Sequence, residues 1–203
     1  MQPHIYLASH SPRRRELLTQ IGVRFERLLV RSDSPRNVDV DETPLDGEQP
    51  EVYVRRICQD KIRAGLKALH MRGLPAFPLL AADTTVALDG QIFGKPDNAE
   101  EAAMMLHRLS DREHLVFSAV AVAMGERIEA ALSVSTVCFA PLGEACIQRY
   151  LLTGEYIGKA GGYGIQGQAG AFIEHLSGSY SGVMGLPLFE TAQLLKHFEY
   201  RIP

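Results

Sequence analysis

Hydrophobic positions first appear as a short run, Pro3 to Ala8, and then change period, with Leu17, Leu18 and Ile21 on one helical face. This predicts a β-strand running into a helix with Ser11 as N-cap, Pro12 at N1, an end near Ile21 and Gly22 as the C′ residue. Arg24 to Val30 reads as a second strand. The next stretch, "RSDSPRNVDVDETPLDGEQP", is too rich in Asp, Pro and Ser for regular structure, and irregular segments of this length inside a compact domain are commonly functional. In "EVYVRRICQDKIRAGLKAL" the apolar positions 54, 57, 58, 62, 66 and 69 predict a helix that ends near Gly73. Leu79 to Ala82 is a buried-strand run, and "VALDGQIF" is a hairpin turning at Asp89-Gly90, which puts Asp83 at the end of a buried strand. Asp97 is expected to cap the helix "NAEEAAMMLHRL", with Glu100 completing a capping box.

Two long β segments come next, "LVFSAVAVAM" and "IEAALSVSTVCFAPL", joined by "GER", and then the short helix "EACIQRYLL" closed by Gly154. The glycine-rich "KAGGYGIQGQAGAFIEHLSGSYSGVMGLP" reads as loop plus strand, before a last helix from Pro187 at N1 to about His197. Helices and strands are mixed without regular βαβ alternation. The fold class is therefore α/β in mixed α+β order, with a mixed sheet rather than a doubly wound one.

Three arginines, Arg13 to Arg15, occupy the first turn of the first helix, where the helix dipole disfavours cations by some tenths of a kcal/mol each (roughly, at an exposed site). An anion reverses that sign. Ser9, Ser11, the free N–H groups and the guanidiniums together predict a phosphate cradle. Helical spacing puts Arg14 on the face of Leu17 and Leu18, Arg13 at its border, and Arg15 with Thr19 toward solvent.

At 203 residues the chain has ample length for a core, and 46% hydrophobic with 22% charged residues is ordinary for a globular protein. A net charge of −3 argues against a general nucleic-acid binder, so the basic residues act locally. Cys58, Cys138 and Cys146 are odd in number and lack CxxC spacing, which suggests neither a disulfide framework nor a zinc site. "MQPHIYLAS" does not read as a signal peptide and no stretch approaches about 18 apolar residues, so a cytoplasmic protein away from membranes is expected.

Gly162, Gly164 and Gly167 match GxGxxG, but the residues after Gly167 read as strand rather than helix. "TGEYIGKAG" imitates a P-loop with one residue too few and no Ser or Thr after Lys159. HExxH and GxSxG are absent, so zinc proteolysis and acyl transfer lack their parts. What remains are hard-oxygen and cationic groups at element ends: Ser9, Arg13, Arg14, Glu42, Lys61, Asp83, Lys95 and Gln166. Asp83 and Glu42 suit Mg²⁺, which takes one or two carboxylates plus substrate phosphates, and the Lys and Arg groups suit a triphosphate. Taken singly, Asp83 also reads as a hairpin cap, and Lys61 and Lys95 as surface lysines.

"LASHSPRRRELL", "DVDET", "DKIRAG", "AADTTVALDGQIFGKP", "TGEYIGKAGGYGIQG" and "GSYSGVMGLPLFET" resemble, in order and over nearly the whole chain, the Maf family of nucleoside triphosphate pyrophosphatases. "KAGxYGIQG" is the mark of the branch acting on dTTP and UTP, and the sibling branch that prefers 7-methyl-GTP differs there. The resemblance implies a Maf/ITPase-like elongated mixed sheet flanked by helices, forming one domain over residues 1–203 with two lobes around a central cleft. It also implies hydrolysis between the α and β phosphates with Mg²⁺ or Mn²⁺, and a homodimer. Carried over position by position, it assigns catalysis to Asp83, Glu42 and Gln166. Substrate binding falls to Ser9, Arg13, Arg14, Lys61, Lys95 and Gln166, and the metal to Asp83 and Glu42. Arg31 to Asn37 look like an insertion; gapping there aligns Glu42 with the family glutamate through the block "DVDETP", whereas an ungapped alignment places Ser34 there. Whether Asp83 is base, metal ligand or both stays open. A rival from another class is a nucleotide-sensing regulator of cell division that binds without turnover.

Overall fold

Side-chain alternation along one central strand organises the molecule. The computed structural model describes residues 4–28, 40–200 and 202. Its elements are, in chain order, β1 (Ile5–Leu7), α1 (Pro12–Gln20), β2 (Phe25–Arg27), α2 (Pro50–Met71), β3 (Leu79–Leu88), β4 (Gln91–Phe93), α3 (Ala99–Leu109), β5 (Glu113–Met124), β6 (Arg127–Phe139), α4 (Glu144–Leu152), two 3₁₀ turns (Ala160–Gly162 and Gln168–Phe172), β7 (Ile173–Ser177), α5 (Tyr180–Met184) and α6 (Leu188–His197). The seven strands form one mixed sheet in the order β2-β1-β3-β5-β6-β7, with β4 folded back on β3. β1 runs parallel to both β2 and β3, and β3, β5, β6 and β7 pair antiparallel.

Because strand side chains alternate with period two, Leu79 and Ala81 of β3 face α2, packing with Val54, Ile57, Cys58 and Ile62. Leu80 and Ala82 face the other way, onto Leu17 and Leu18 of α1 and Leu194 and Leu195 of α6. Farther along β3, Val86 and Leu88 join Leu106, Leu109, Ile147 and Tyr150 in a third cluster. Each fully buried Leu or Ile adds roughly 1.5–3 kcal/mol over leaving it exposed, so a two-sided cover holds β3 at the centre. The candidate cleft opens where the first two clusters give way to the third.

Several sequence expectations shift. β3 does not stop at Ala82; it continues through Asp83, Thr84 and Thr85 and pairs with β5 along its length, so Asp83 sits in mid-strand. β-branched residues after it favour extended backbone, and a lysine neutralises the charge that looked like a stop signal. The α3 cap is Asn98 rather than Asp97: its side chain accepts from Glu101 N at 2.9 Å, and the Glu101 carboxylate reaches back to Asp97 N at 2.8 Å. Ser11 stands at the α1 N-cap without a side-chain capping bond, and its N–H donates to Ser9 Oγ at 3.2 Å. Pro187 is the cap of α6 rather than its first residue, and α5 was not anticipated. Arg15 is half-buried rather than turned to solvent, with its Nε buried and without a partner among the described residues. The expected strand Arg24 to Val30 is described as Phe25–Arg27, with Leu29 and Val30, the Arg31 to Asn37 insertion and Ser34 outside the described residues.

Candidate active site

A cavity of about 690 Å³ is lined by all eight sequence-derived candidates: Ser9, Arg13, Arg14, Glu42, Lys61, Asp83, Lys95 and Gln166. Four separate stretches of chain supply its acidic part. α2 approaches β3 closely at Gly65, where a Cβ would lie 2.7 Å from Leu79 Cδ2. One turn earlier the same helix face carries Lys61, whose Nζ meets Asp83 Oδ1 at 2.6 Å and Glu42 Oε1 at 2.6 Å. The second Glu42 oxygen accepts from Lys95 Nζ at 2.5 Å. Asp83 is only 6% exposed, and its alternation toward α2 is what aims it at Lys61.

Burial pushes the Glu42 carboxyl up, but Lys61 and Lys95 outweigh it and hold the group down at about 2. Glu42 is therefore ionised throughout the neutral range. Its loop is tied to α2 by the Tyr53 hydroxyl, which donates to Glu42 O at 2.8 Å, and by Arg56, which donates to Thr43 O at 3.1 Å.

The basic part is built at the α1 N-terminus. β1 is still bonded to β3 at Ala8, whose N–H donates to Leu80 O at 2.9 Å, when the chain turns through Ser9 into α1. Arg14 Nε donates to Gly185 O at 2.8 Å and its Nη1 to Ser9 Oγ at 3.2 Å, while Arg13 Nε donates to Met184 O at 3.2 Å. Burial lowers both guanidiniums from their ordinary value. Arg14 adds like-charge repulsion on Arg13, whereas Asp83, Cys58 and Glu42 act the other way on Arg14. Gln166 is exposed at the cleft margin.

Two carboxylates held among lysines beside arginines at a helix N-terminus are an arrangement chemically suited to a phosphorylated ligand. The model of the Maf-like protein family matches residues 4–198. The chain belongs to the Maf family. It is 54% identical to a dTTP/UTP pyrophosphatase of Aromatoleum aromaticum over 98% of each chain. It is 55% identical to a protein of the same name from Ralstonia nicotianae over 95% of this chain and 93% of that one. A third, from Nitrosospira multiformis, is 54% identical over 100% of this chain and 98% of its own. The mixed sheet flanked by helices agrees with the fold expected for a Maf protein.

The Maf cleft also contains residues that sequence reasoning passed over. Thr84 lines it and shares a hydrogen bond with Ser118 Oγ at 3.0 Å, and Ser118 donates onward to Gly182 O at 2.6 Å. This chain of bonds ties α5 to the sheet and so holds the Met184 and Gly185 carbonyls that receive Arg13 and Arg14. Tyr163 bonds the buried His114 of β5 at 2.8 Å, which anchors the glycine-rich segment; burial pulls His114 down to about 4 and pushes Tyr163 up. Lys159, set aside with the failed P-loop match, lines the cleft as well. The two threonines after Asp83 and the "KAGGYG" block were the available signals for Thr84, Lys159 and Tyr163. Neither signal indicates which strand face or which loop side a residue occupies.

Proposed function

We propose that this chain hydrolyses dTTP and UTP to the nucleoside monophosphate and pyrophosphate. The observation that carries the reading is the union, in one cavity, of the Asp83–Lys61–Glu42–Lys95 cluster with the Arg13–Arg14 pair. The names of the relatives at about 54% identity support it.

Asp83 and Glu42 suit a divalent ion. Both direct an oxygen at the same ammonium, and the donors are hard carboxylate oxygens. Two carboxylates plus substrate phosphates match the way Mg²⁺ or Mn²⁺ is held in phosphate chemistry. Such an ion would supply Lewis-acid stabilisation of charge on the phosphoryl oxygens. The remaining work falls to the chain. Asp83 orients the attacking water and takes its proton, Gln166 places the water or a phosphate through its amide, and Ser9 donates to a phosphate oxygen. Water adds at the α phosphorus, the bond to the bridging oxygen breaks, and that oxygen leaves with pyrophosphate. Lys61, Lys95, Arg13 and Arg14 bind the charge that accumulates on it.

The reading takes residues 1–203 as one domain whose two lobes flank the cleft. The family resemblance supports a homodimer, and no helix among the described residues is long and apolar enough to cross a membrane. Incubation with dTTP and Mg²⁺ is expected to yield dTMP and pyrophosphate, with dTTP and UTP turned over ahead of ATP and GTP. Formation of dTDP and orthophosphate would overturn the bond assignment. Faster hydrolysis of 7-methyl-GTP would overturn the base assignment, and nucleotide binding with no product would mark a sensor instead.

A further inference from the structure

Charge in the cleft is distributed unevenly. Lys61 and Lys95 each hold a carboxylate, whereas Arg13, Arg14 and Lys159 form no ion pair with a carboxylate among the described residues. Arg13 and Arg14 rest on the carbonyls of Met184 and Gly185, and Lys159 Nζ rests on the carbonyl of Glu155. The Glu155 carboxylate is engaged elsewhere, by the Tyr150 hydroxyl at 3.2 Å and the Gln168 N–H at 2.9 Å. Lys159 is half-buried, and burial together with the charge of Arg13 pulls its ammonium down, against the opposing effect of Glu155. The lysine stem lies against Gly164, where a Cβ would stand 2.8 Å from Lys159 Cε and 3.0 Å from Cδ. A residue with a side chain at 164 would displace the stem.

We propose that Lys159 is a substrate-binding residue, the third cation of a subsite that it forms with Arg13 and Arg14 for the pyrophosphate end of the nucleotide. The proposal rests on the pyrophosphatase reading. Water is activated at Asp83, so the α phosphorus lies at the carboxylates and the β and γ phosphates extend toward the cations that lack carboxylate partners. A pyrimidine base is neutral at pH 7 and does not offset three positive charges gathered in a partly buried cleft; a polyanion does. On binding, the ammonium exchanges the Glu155 carbonyl for a phosphoryl oxygen, a neutral acceptor for a charged one. The Gly164 backbone leaves the stem room to make that exchange.

Lys159→Met keeps the stem and removes the charge. Calorimetric titration with magnesium pyrophosphate is expected to show affinity lower by about tenfold or more, with KM for dTTP rising in parallel. Binding of dTMP and the dTTP-over-ATP preference are expected to stay within about twofold, and Lys159→Arg to recover part of the loss. Gly164→Ala, which crowds the stem without touching the charge, is expected to move pyrophosphate affinity in the same direction and stands in should Lys159→Met not fold. Unchanged pyrophosphate affinity in Lys159→Met and Gly164→Ala would overturn the proposal. So would a loss confined to dTMP binding or base preference, which would place Lys159 at the base. Wild-type protein run alongside separates the two readings, because failure to release pyrophosphate from dTTP defeats the enzyme assignment while leaving the pyrophosphate titration interpretable.

Discussion

At the Asp83 end of the cleft two ammonium groups pair with two carboxylates, whereas at the α1 end the hydrogen bonds of three cations among the described residues go to peptide oxygens and a serine hydroxyl, with Asp83 and Glu42 acting on Arg14 only through space. The first arrangement is neutral as it stands. Asp83 and Lys61 are largely out of water, so each depends on the other, and removing one leaves a buried charge without compensation, whereas Lys95 faces solvent. The second accumulates repulsion: burial lowers Arg13, Arg14 and Lys159, and like charge lowers Arg13 and Lys159 further. On the proposed reading, a polyanion would relieve that repulsion and gain the helix dipole as well, which would concentrate binding energy at the α1 end. The Asp83 end is the one proposed for the chemistry, since its two lysines already orient the carboxylates and lie where charge would develop.

The largest expected effect breaks the neutral end. Asp83→Asn keeps the size of the side chain and a hydrogen bond to Lys61 but removes the charge that orients and deprotonates water. We expect kcat for dTTP to fall by about 10²-fold or more, with the thermal transition retained. Equilibrium binding of dTTP should be unchanged or tighter, because a negative charge near the phosphates has gone. Near-normal turnover in the folded variant would transfer the catalytic role to Glu42.

Next comes the cationic end, where neighbouring arginines are not equivalent. Arg14→Ala is expected to lower kcat/KM by about tenfold or more and Arg13→Ala by less, since Arg14 is held at two points and Arg13 at one. Arg15 does not line the cleft, and Arg15→Ala should change kcat/KM by under about threefold. Steady-state kinetics on the three variants checks this, and equal losses would show that the helical phase does not sort them.

The smallest effect concerns the support behind the cationic end. His114 is 2% exposed and holds Tyr163, and with it the segment that carries Lys159. Its pKa lies near 4 in the fold against an ordinary 6.5, so the unfolded chain binds the proton first as the pH falls. Its contribution is complete above the unfolded value and is lost as pH drops from 6.5 toward 4. Between about pH 6.5 and 5.5 this predicts a loss of about 1 kcal/mol of stability. Urea unfolding at the two pH values should show it in wild type and show a smaller change in His114→Phe. An equal pH dependence in both proteins would remove His114 as its source.

Local signals in the chain determined most elements. The heptad-like spacing from Val54 to Leu69 defined α2, and Asp89-Gly90 set the β3–β4 turn, where Asp89 has φ 52° and Gly90 φ 75°. Pro12 after Ser11 fixed the start of α1. These are decided by residues a few positions apart, which is why they were legible. The eight candidate residues were legible by type and by family resemblance, though not by arrangement. Asp83 looked like the end of a strand because a charge in a buried run is unfavourable alone; only the close approach of α2 at Gly65 brings the lysine that makes it tolerable. Arg15 looked solvent-facing from helical phase, since a wheel records the helix and not what packs on it. Lys159 failed a local motif and reached the cleft through contacts with Glu155 and Gly164, after a fold that sets it near Arg13. The sequence by itself determined which groups were available and where the chain turns. Which charges neutralise one another, and which are left to hold a polyanion, was decided only by tertiary packing, because electrostatic energy depends on distances and burial between segments far apart in the chain.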